Sequence, residues 1–276
     1  MTAGTMRQVR TMNAPMSDIA KAADAASIEG RQIVKTFGGF TAVDNVSFTI
    51  GKGEFVSLIG PSGCGKSTLM LIAAGLQPLS TGEIVVNGAP LDRPLTDIGI
   101  VFQDHLLLDF RTALDNVLLQ AEIRGLPMEP ARARAMELFE KLGIAHAADR
   151  YPRQLSGGMR QRVSIARALI HNPSVLMMDE PFGALDAITR TQIRHDLELL
   201  WMETGKTVLF ITHSLEEAIG LSDRVLVMSP SPGRIVDEIR IELPRPRPAH
   251  LGDYPSFNIY ADRIHALFRQ FGVIKY

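Results

Sequence analysis

Cysteine and long apolar runs are scarce in this chain. Cys64 is the only cysteine among 276 residues, which excludes a disulfide within the chain and is typical of a reducing compartment. No stretch approaches the roughly 18 to 20 consecutive apolar residues that cross a bilayer. Residues 1–27 lack the continuous apolar segment of a signal peptide, and we expect them to form a loose leader. The sequence therefore predicts a chain that carries no membrane span of its own.

The chain also has no large excess of positive or negative charge. The formal net charge is −1 and no basic tract stands out, so we expect no nucleic-acid partner. Hydrophobic residues make up 46% of the chain and charged residues 21%, which predicts a sizeable core. A length of 276 residues suits one large α/β domain or a domain with an inserted lobe.

The most specific pattern follows an apolar run of strand type, Glu54–Ile59, and precedes a predicted helix. Residues 60–68 read G-P-S-G-C-G-K-S-T. The glycines let the backbone curl so that successive N–H groups face phosphate oxygens. Lys66 adds a positive charge near the β- and γ-phosphates, and the Ser67 hydroxyl can bind Mg²⁺. The alternative is a glycine-rich turn that contains a lysine by chance.

We therefore predict that the chain binds a nucleoside triphosphate and Mg²⁺ through a phosphate loop. Its nine residues are Gly60, Pro61, Ser62, Gly63, Cys64, Gly65, Lys66, Ser67 and Thr68. The cysteine in this loop is interpreted as a small packed side chain rather than a reactive nucleophile.

Two carboxylates end a second apolar run, which reads V-L-M-M-D-E over residues 175–180. Asp179 is placed to hold Mg²⁺ beside Ser67, and Glu180 to polarise an attacking water. The alternative is a strand that ends in a solvated acidic pair.

The segment Leu155–Gly158 reads L-S-G-G and opens a predicted helix. Ser156 and the N–H groups of Gly157 and Gly158 would form a second anion site at the amino end of that helix. An ordinary serine N-cap followed by glycines is the alternative.

The remaining sequence alternates between strand and helix patterns. Ser214 and Glu217 form a predicted capping box at the start of a helix. Asn87 and Gly88 predict a hairpin turn. Strands are predicted over 28–34, 43–50, 82–87, 98–102, 175–178, 207–212 and 224–228, an edge hairpin after 229–233, an amphipathic helix over 188–203 and a terminal helix over 261–271.

The order of these motifs resembles that of the ATP-binding-cassette (ABC) ATPases from Ile28 to about Met228. The segment Ala184-Leu185-Asp186 matches the last motif in this order, the D-loop of the family. The resemblance implies an α/β fold of the P-loop NTPase ABC type: a mixed central sheet, an inserted helical lobe and an N-terminal antiparallel β part. The corresponding domains are the leader 1–27, an ATPase domain 28–248 with its lobe at about 104–160, and a C-terminal extension 249–276 with a terminal helix.

The resemblance also implies roles for single residues that would otherwise be interpreted as packing or surface positions. Gln103 would contact Mg²⁺ or the attacking water, His213 the γ-phosphate, and Phe37 the adenine ring, where the family more often has tyrosine. The implied catalytic set is Glu180, His213, Gln103 and Lys66; the implied Mg²⁺ set is Ser67, Gln103 and Asp179. Ser156, Gly157, Gly158 and Asp186 would act in trans, on the ATP held by a second copy packed head to tail.

The apolar cluster His105–Phe110 begins the predicted lobe. It is either buried packing or, as the resemblance implies, a groove for a helix of a multi-span permease. Residues 107–112 read L-L-D-F-R-T, where importers of nitrate, sulfonates or taurine often have L-L-P-W-R-T. The predicted function is thus ATP hydrolysis that energises such an importer at the cytoplasmic face of the inner membrane, with an extracytoplasmic solute-binding protein as an indirect partner.

Two other functions remain open at this stage. A soluble ABC-type ATPase could drive a non-transport machine, but it predicts tandem cassettes, a long coiled coil or a basic surface, and the sequence contains none of these. An unrelated P-loop enzyme such as a kinase would leave the L-S-G-G segment without a role.

Overall fold

The computed structural model describes residues 26–248 and 250–274. The predicted leader lies outside these ranges except for residues 26 and 27, which already belong to the first strand. Within the two ranges, no helix combines the length and apolarity that crossing a membrane requires.

A four-stranded antiparallel sheet forms the N-terminal part, as predicted. Its strands are β1 (Ala26–Phe37), β2 (Phe40–Gly51), β4 (Thr81–Val86) and β5 (Ala89–Pro90), in the order β2-β1-β4-β5. Asn87 and Gly88 both have positive φ, 49° and 80°, which is the geometry of a tight two-residue hairpin. β1 and β2 extend beyond the predicted bounds because their pairing continues to Phe37 and Phe40 at the turn.

A six-stranded mixed sheet forms the centre, which confirms the predicted fold class. Its strands are β3 (Phe55–Ile59), β6 (Ile98–Val101), β7 (Val175–Asp179), β8 (Thr207–Thr212), β9 (Arg224–Met228) and β10 (Ile235–Arg240), in the order β10-β9-β3-β8-β7-β6. β10 pairs antiparallel with β9 and forms the predicted edge hairpin, whereas the other pairs are parallel. Nearly continuous apolar strands suit this sheet because both its faces are covered, one by helices and the other by the antiparallel sheet together with the helix that follows β3.

Seven α-helices surround the two sheets in the described ranges. They are α1 (Lys66–Ala73), α2 (Ala113–Ile123), α3 (Met128–Lys141), α4 (Gly157–Leu169), α5 (Ala187–Thr204), α6 (Leu215–Leu221) and α7 (Pro255–Gln270). α2 and α3 pack on α4 and share one buried apolar cluster with it. α2 and α3 belong to the inserted helical lobe of the predicted fold, and the bounds of that lobe at about 104–160 remain a prediction.

The terminal helix α7 begins six residues before its predicted start. Pro255 occupies its first turn, where proline is tolerated because that position needs no N–H donor and has a helical φ. The polar residues Ser256 and Asn258 interrupt the apolar pattern in this turn, so the pattern predicts a later start. Ile264 and Phe268 of α7 pack with the buried apolar residues of β9. The domain boundary at residue 248 remains a prediction.

Candidate functional site

The topology of the central sheet brings the predicted chemistry to one edge. β3, β8, β7 and β6 are parallel neighbours, so their carboxyl ends meet at the same edge. The register pairs Ile59 with Thr212 and Asp179 with Ile211. Gly60, Glu180 and His213 directly follow β3, β7 and β8, and Gln103 lies two residues after the end of β6.

The phosphate loop depends on glycine at its junction with α1. Gly65 has φ of 101°, and a Cβ there would lie 2.7 Å from the Ala42 carbonyl oxygen, so only glycine fits without displacement. Cys64 is buried, and burial raises the pKa of its thiol. It therefore has the environment of a packed side chain.

Lys66 is buried in the loop and is held by its backbone. Its Nζ donates to the carbonyl oxygens of Gly60 at 2.9 Å and Pro61 at 3.0 Å. A lysine that is 5% exposed keeps its charge only if polar groups replace the lost water. The loop thus positions one positive charge beside the N-terminus of α1.

Glu180 faces both His213 and Lys66. Its Oε2 lies 2.9 Å from Nδ1 of His213, and its Oε1 lies 3.9 Å from Nζ of Lys66. The backbone of Glu180 is left-handed, with φ of 43°, a conformation that costs about 1–3 kcal/mol for a residue with a side chain. The strained turn directs the carboxylate to the middle of the sheet edge.

Asp179 has an oxygen atom that fits a cation. Its Oδ1 is buried and has no hydrogen-bond partner within the described residues. Burial raises the pKa of this carboxyl, a hydrogen bond with Ser67 lowers it, and the charge of Glu180 raises it again. Mg²⁺ takes oxygen ligands, and the carboxylate of Asp179 and the hydroxyl of Ser67 are oxygen donors of that kind.

Gln103 follows β6 and is exposed. Its Nε2 lies 3.8 Å from the place that a Cβ on Gly183 would take, so the amide faces the turn after Glu180. The structure therefore brings Gln103 to the same edge as the two carboxylates.

Phe37 lies at the tip of the antiparallel sheet, with 47% of its surface exposed. The ammonium group of Lys35 lies 4.7 Å from the centroid of its ring, which is within the range of a cation–π contact. Lys35 is not among the site residues predicted from the sequence. Its side chain lies on the same face of β1 as Phe37, because residues two apart in a strand share a face, and this alternation is the signal that identifies it.

Ser156 and Asp186 begin two helices that touch at their amino ends. The Ser156 hydroxyl accepts from the N–H of Met159 at 3.2 Å, and the Asp186 carboxylate accepts from the N–H of Thr189 at 3.0 Å. A Cβ on Gly158 would lie 2.4 Å from Cγ2 of Thr189, so glycine permits this close approach. Ser156 and Asp186 are both exposed, and together they form one outward-facing patch of helix N-termini.

Only one of the two hydrogen bonds of the predicted capping box forms at α6, so the other half of that prediction is wrong. Ser214 does accept from the N–H of Glu217, at 3.4 Å. The N–H of Ser214, however, donates to Oγ1 of Thr212 at 2.9 Å, and the carboxylate of Glu217 accepts a hydrogen bond from the same Thr212 hydroxyl. Glu217 is buried, and this contact with β8 replaces the local bond that the sequence pattern suggests.

Comparison with known proteins identifies similar chains. A family profile described as ABC transporter matches residues 43–183. The chain is 49% identical over 215 residues to the taurine import ATP-binding protein TauB of Rhizobium johnstonii, an alignment that covers 78% of this chain and 82% of the relative.

Two solved proteins have similar structures. The dimeric bacterial ABC transporter cassette MJ0796 is 35% identical with a TM-score of 0.70, and the match covers 78% of this chain and 99% of the cassette. The same cassette has also been solved as a post-hydrolysis dimer bound to ADP and Pi. CbiO1 of Clostridium perfringens, part of the cbiONQ transporter complex, is 26% identical with a TM-score of 0.74, and the match covers 91% of this chain and 96% of that one.

Proposed function

The chain belongs to the ABC transporter family, and from this premise we propose that two copies of it bind ATP between them and hydrolyse it to drive import of taurine or a related small solute. It has the ABC ATPase fold and is the ATP-hydrolysing type of subunit that energises an importer. The observation that carries the catalytic part of the proposal is the position of Glu180, between His213 and Lys66 at one sheet edge.

In the proposed reaction Glu180 accepts a proton from the water that attacks the γ-phosphate. His213 contacts one carboxylate oxygen and keeps the other directed at the water, and it also faces the γ-phosphate. Lys66 exchanges its contacts with the loop carbonyls for phosphate oxygens. Because phosphoryl transfer relies mainly on positioning and electrostatics, these three side chains act chiefly by their placement.

Mg²⁺, when bound, would neutralise charge on the β- and γ-phosphate oxygens. Asp179, Ser67 and Gln103 are the proposed residues that hold it. The unpartnered Oδ1 of Asp179 supports this assignment.

Phe37 is proposed to stack on adenine, with Lys35 against its ring. We expect Phe37→Ala to weaken ATP binding by about tenfold, the usual cost of losing one base–aromatic stack, and Phe37→Tyr to bind ATP like the parent chain. Calorimetric titration with ATP measures both. Equal affinities for all three chains would exclude Phe37 as the stacking residue.

The second copy is proposed to complete each nucleotide site. Ser156 and Asp186 lie on the exposed patch of helix N-termini, and Gly157 and Gly158 follow Ser156 in the first turn of α4. Such a patch suits the phosphates of ATP held by the partner. The dimeric form of the related cassette supports this arrangement.

Complementation between two defective chains tests the shared sites. Ser156→Arg blocks the patch of helix N-termini and Lys66→Ala disables the phosphate loop, so each homodimer should be inactive. A purified heterodimer retains one complete site, because the intact loop of the first chain faces the intact patch of the second, and we expect ATP turnover at about half the parent rate or less. A verified heterodimer without any turnover would contradict the proposal.

A multi-span permease is the proposed membrane partner, which would place this chain at the cytoplasmic face of the inner membrane. Phe110 and Leu106 are 76% and 59% exposed, so the His105–Phe110 cluster is not fully buried within the lobe, and it presents apolar surface to a partner helix. Isolation of the chain from membranes tests this. Recovery without any multi-span protein would contradict it.

The solute is proposed from the likeness to the taurine import protein and from the L-L-D-F-R-T segment. A solute-binding protein outside the membrane would deliver it. The test is ATP turnover of the reconstituted transporter with taurine, with an alkanesulfonate and with nitrate. We expect stimulation by taurine or the alkanesulfonate, and stimulation by none of the three would exclude this solute class.

A further inference from the structure

Glu217 is a buried carboxylate with no part in the chemistry described above. It lies on α6, four residues after His213, and is 4% exposed. Burial raises its pKa, whereas the Thr212 hydroxyl and the charges of Arg190 and His213 lower it. Because a buried carboxylate is costly unless its partners hold it, those partners indicate what it does.

On one side Glu217 fixes the backbone around His213. The carboxylate of Glu217 accepts a hydrogen bond from the hydroxyl of Thr212. That hydroxyl oxygen, Oγ1 of Thr212, in turn accepts a hydrogen bond from the N–H of Ser214. Thr212 and Ser214 are the two neighbours of His213 in the chain. The position of Glu217 therefore sets where the imidazole meets Glu180.

On the other side Glu217 faces the start of α5. Its Oε1 lies 3.8 Å from Nε of Arg190. Nη2 of Arg190 donates to the carbonyl oxygen of Leu185 at 2.8 Å, directly before Asp186. Arg190 thus joins Glu217 to the segment proposed to face the nucleotide of the second copy.

The contact between Arg190 and Glu217 is incomplete. Nε of Arg190 is buried and has no hydrogen-bond partner in the described part of the chain, and 3.8 Å from a carboxylate oxygen is beyond hydrogen-bond distance. Buried donors are nearly always satisfied. Shortening this distance by less than 1 Å would bring Nε of Arg190 within hydrogen-bond distance of Glu217.

We propose that Arg190 and Glu217 are a positioning pair that couples the two nucleotide sites of the dimer. When Asp186 meets the nucleotide of the second copy, Arg190 moves with Leu185 and closes on Glu217. Glu217 then fixes Thr212 and Ser214, and with them His213 and Glu180 of its own site. This inference rests on the proposed head-to-tail dimer.

A purely structural role for Glu217 is the alternative, and the chain offers a matched control. Glu198 is also a buried carboxylate, 2% exposed, and it accepts from the side chain of Arg245 and the backbone N–H of Arg247. It lies near the C-terminal end of α5, away from His213. Glu198→Gln therefore removes an equally buried charge without touching the coupling path.

A double-mutant cycle on the purified full chain is the first test. Glu217→Gln and Arg190→Gln should each lower kcat about tenfold and leave ATP affinity within about threefold of the parent, and the double variant should be no slower than either single one. Glu198→Gln should lower Tm and leave kcat within about twofold. Additive losses, or an equal fall in kcat for Glu198→Gln, would overturn the proposal.

A heterodimer with a single working site separates coupling from local support. One chain carries Lys66→Ala, and Glu217→Gln is placed either in that chain or in the chain with the intact phosphate loop. Because coupling is reciprocal, Glu217 of the Lys66→Ala chain also holds Asp186 of that chain against the ATP in the working site. We therefore expect slower turnover in both arrangements, about tenfold with the substitution in the intact-loop chain and about threefold with it in the Lys66→Ala chain. A loss confined to the intact-loop arrangement would overturn the link through Arg190.

The two experiments distinguish a failure of the shared nucleotide sites from a failure of the Arg190–Glu217 pair. If the heterodimer without Glu217→Gln shows no turnover, the shared sites fail. The double-mutant cycle in the homodimer still decides whether Arg190 and Glu217 act as a pair.

Discussion

Glu180→Gln should abolish nearly all ATP turnover and leave ATP binding intact. The amide keeps the size of the carboxylate and its contact with His213, but it cannot accept a proton from water. Loss of a general base slows a reaction by about 10²–10⁴-fold, so the variant should retain unhydrolysed ATP. Phosphate release and the nucleotide content of the purified protein measure the two effects.

Glu216→Gln is the matched control for this prediction. Glu216 is an exposed carboxylate on α6 close to the site, and its loss should leave turnover unchanged. Normal hydrolysis by Glu180→Gln would remove Glu180 as the base. A variant that no longer binds ATP would show instead that the strained turn at Glu180 had changed.

Lys66→Ala should lose most of the affinity for ATP. The buried ammonium is the one positive charge that the loop holds at the N-terminus of α1. Removing one partner of a buried, hydrogen-bonded charge pair costs about 2–5 kcal/mol, so ATP should bind at least about 30-fold more weakly. Calorimetric titration with ATP measures the change, and the Tm without nucleotide reports whether the loop still folds.

Lys52→Ala is the control for Lys66→Ala. Lys52 is exposed in the turn between β2 and β3, so its removal changes the net charge equally but should not alter ATP affinity. If Lys66→Ala bound ATP like the parent chain, the phosphate-loop assignment would be wrong.

The placement of the site could be predicted because it depends on local motifs and on one rule of topology. The phosphate loop, the acidic pair and His213 each lie at the end of an apolar strand, and parallel neighbours bring those ends to one edge. Gly60, Glu180 and His213 follow three adjacent strands in the structure. Neither step required knowledge of side-chain packing.

The contacts between these residues could not be predicted because they depend on register and backbone strain. Glu180 and His213 are 33 residues apart, and they meet only because β7 pairs with β8 and Glu180 adopts a left-handed conformation. The close packing of Gly158 on Thr189 is likewise tertiary.

Glu217 shows how a tertiary contact overrides a local pattern. The spacing of Ser214 and Glu217 predicts a reciprocal capping box, and only the serine half forms. Thr212 offers the buried carboxylate a hydroxyl, and Arg190 offers it a charge. A pattern of neighbouring residues cannot predict these contacts, because Thr212 lies in β8 and Arg190 lies in α5.

The mass of the Glu180→Gln variant in solution tests the shared nucleotide most directly. Light scattering should give about twice the mass of one chain with ATP and the mass of a single chain with ADP. Adding Ser156→Arg should abolish the ATP-dependent doubling. A parent chain that hydrolyses ATP at full rate while this variant keeps the mass of one chain with ATP would contradict the account.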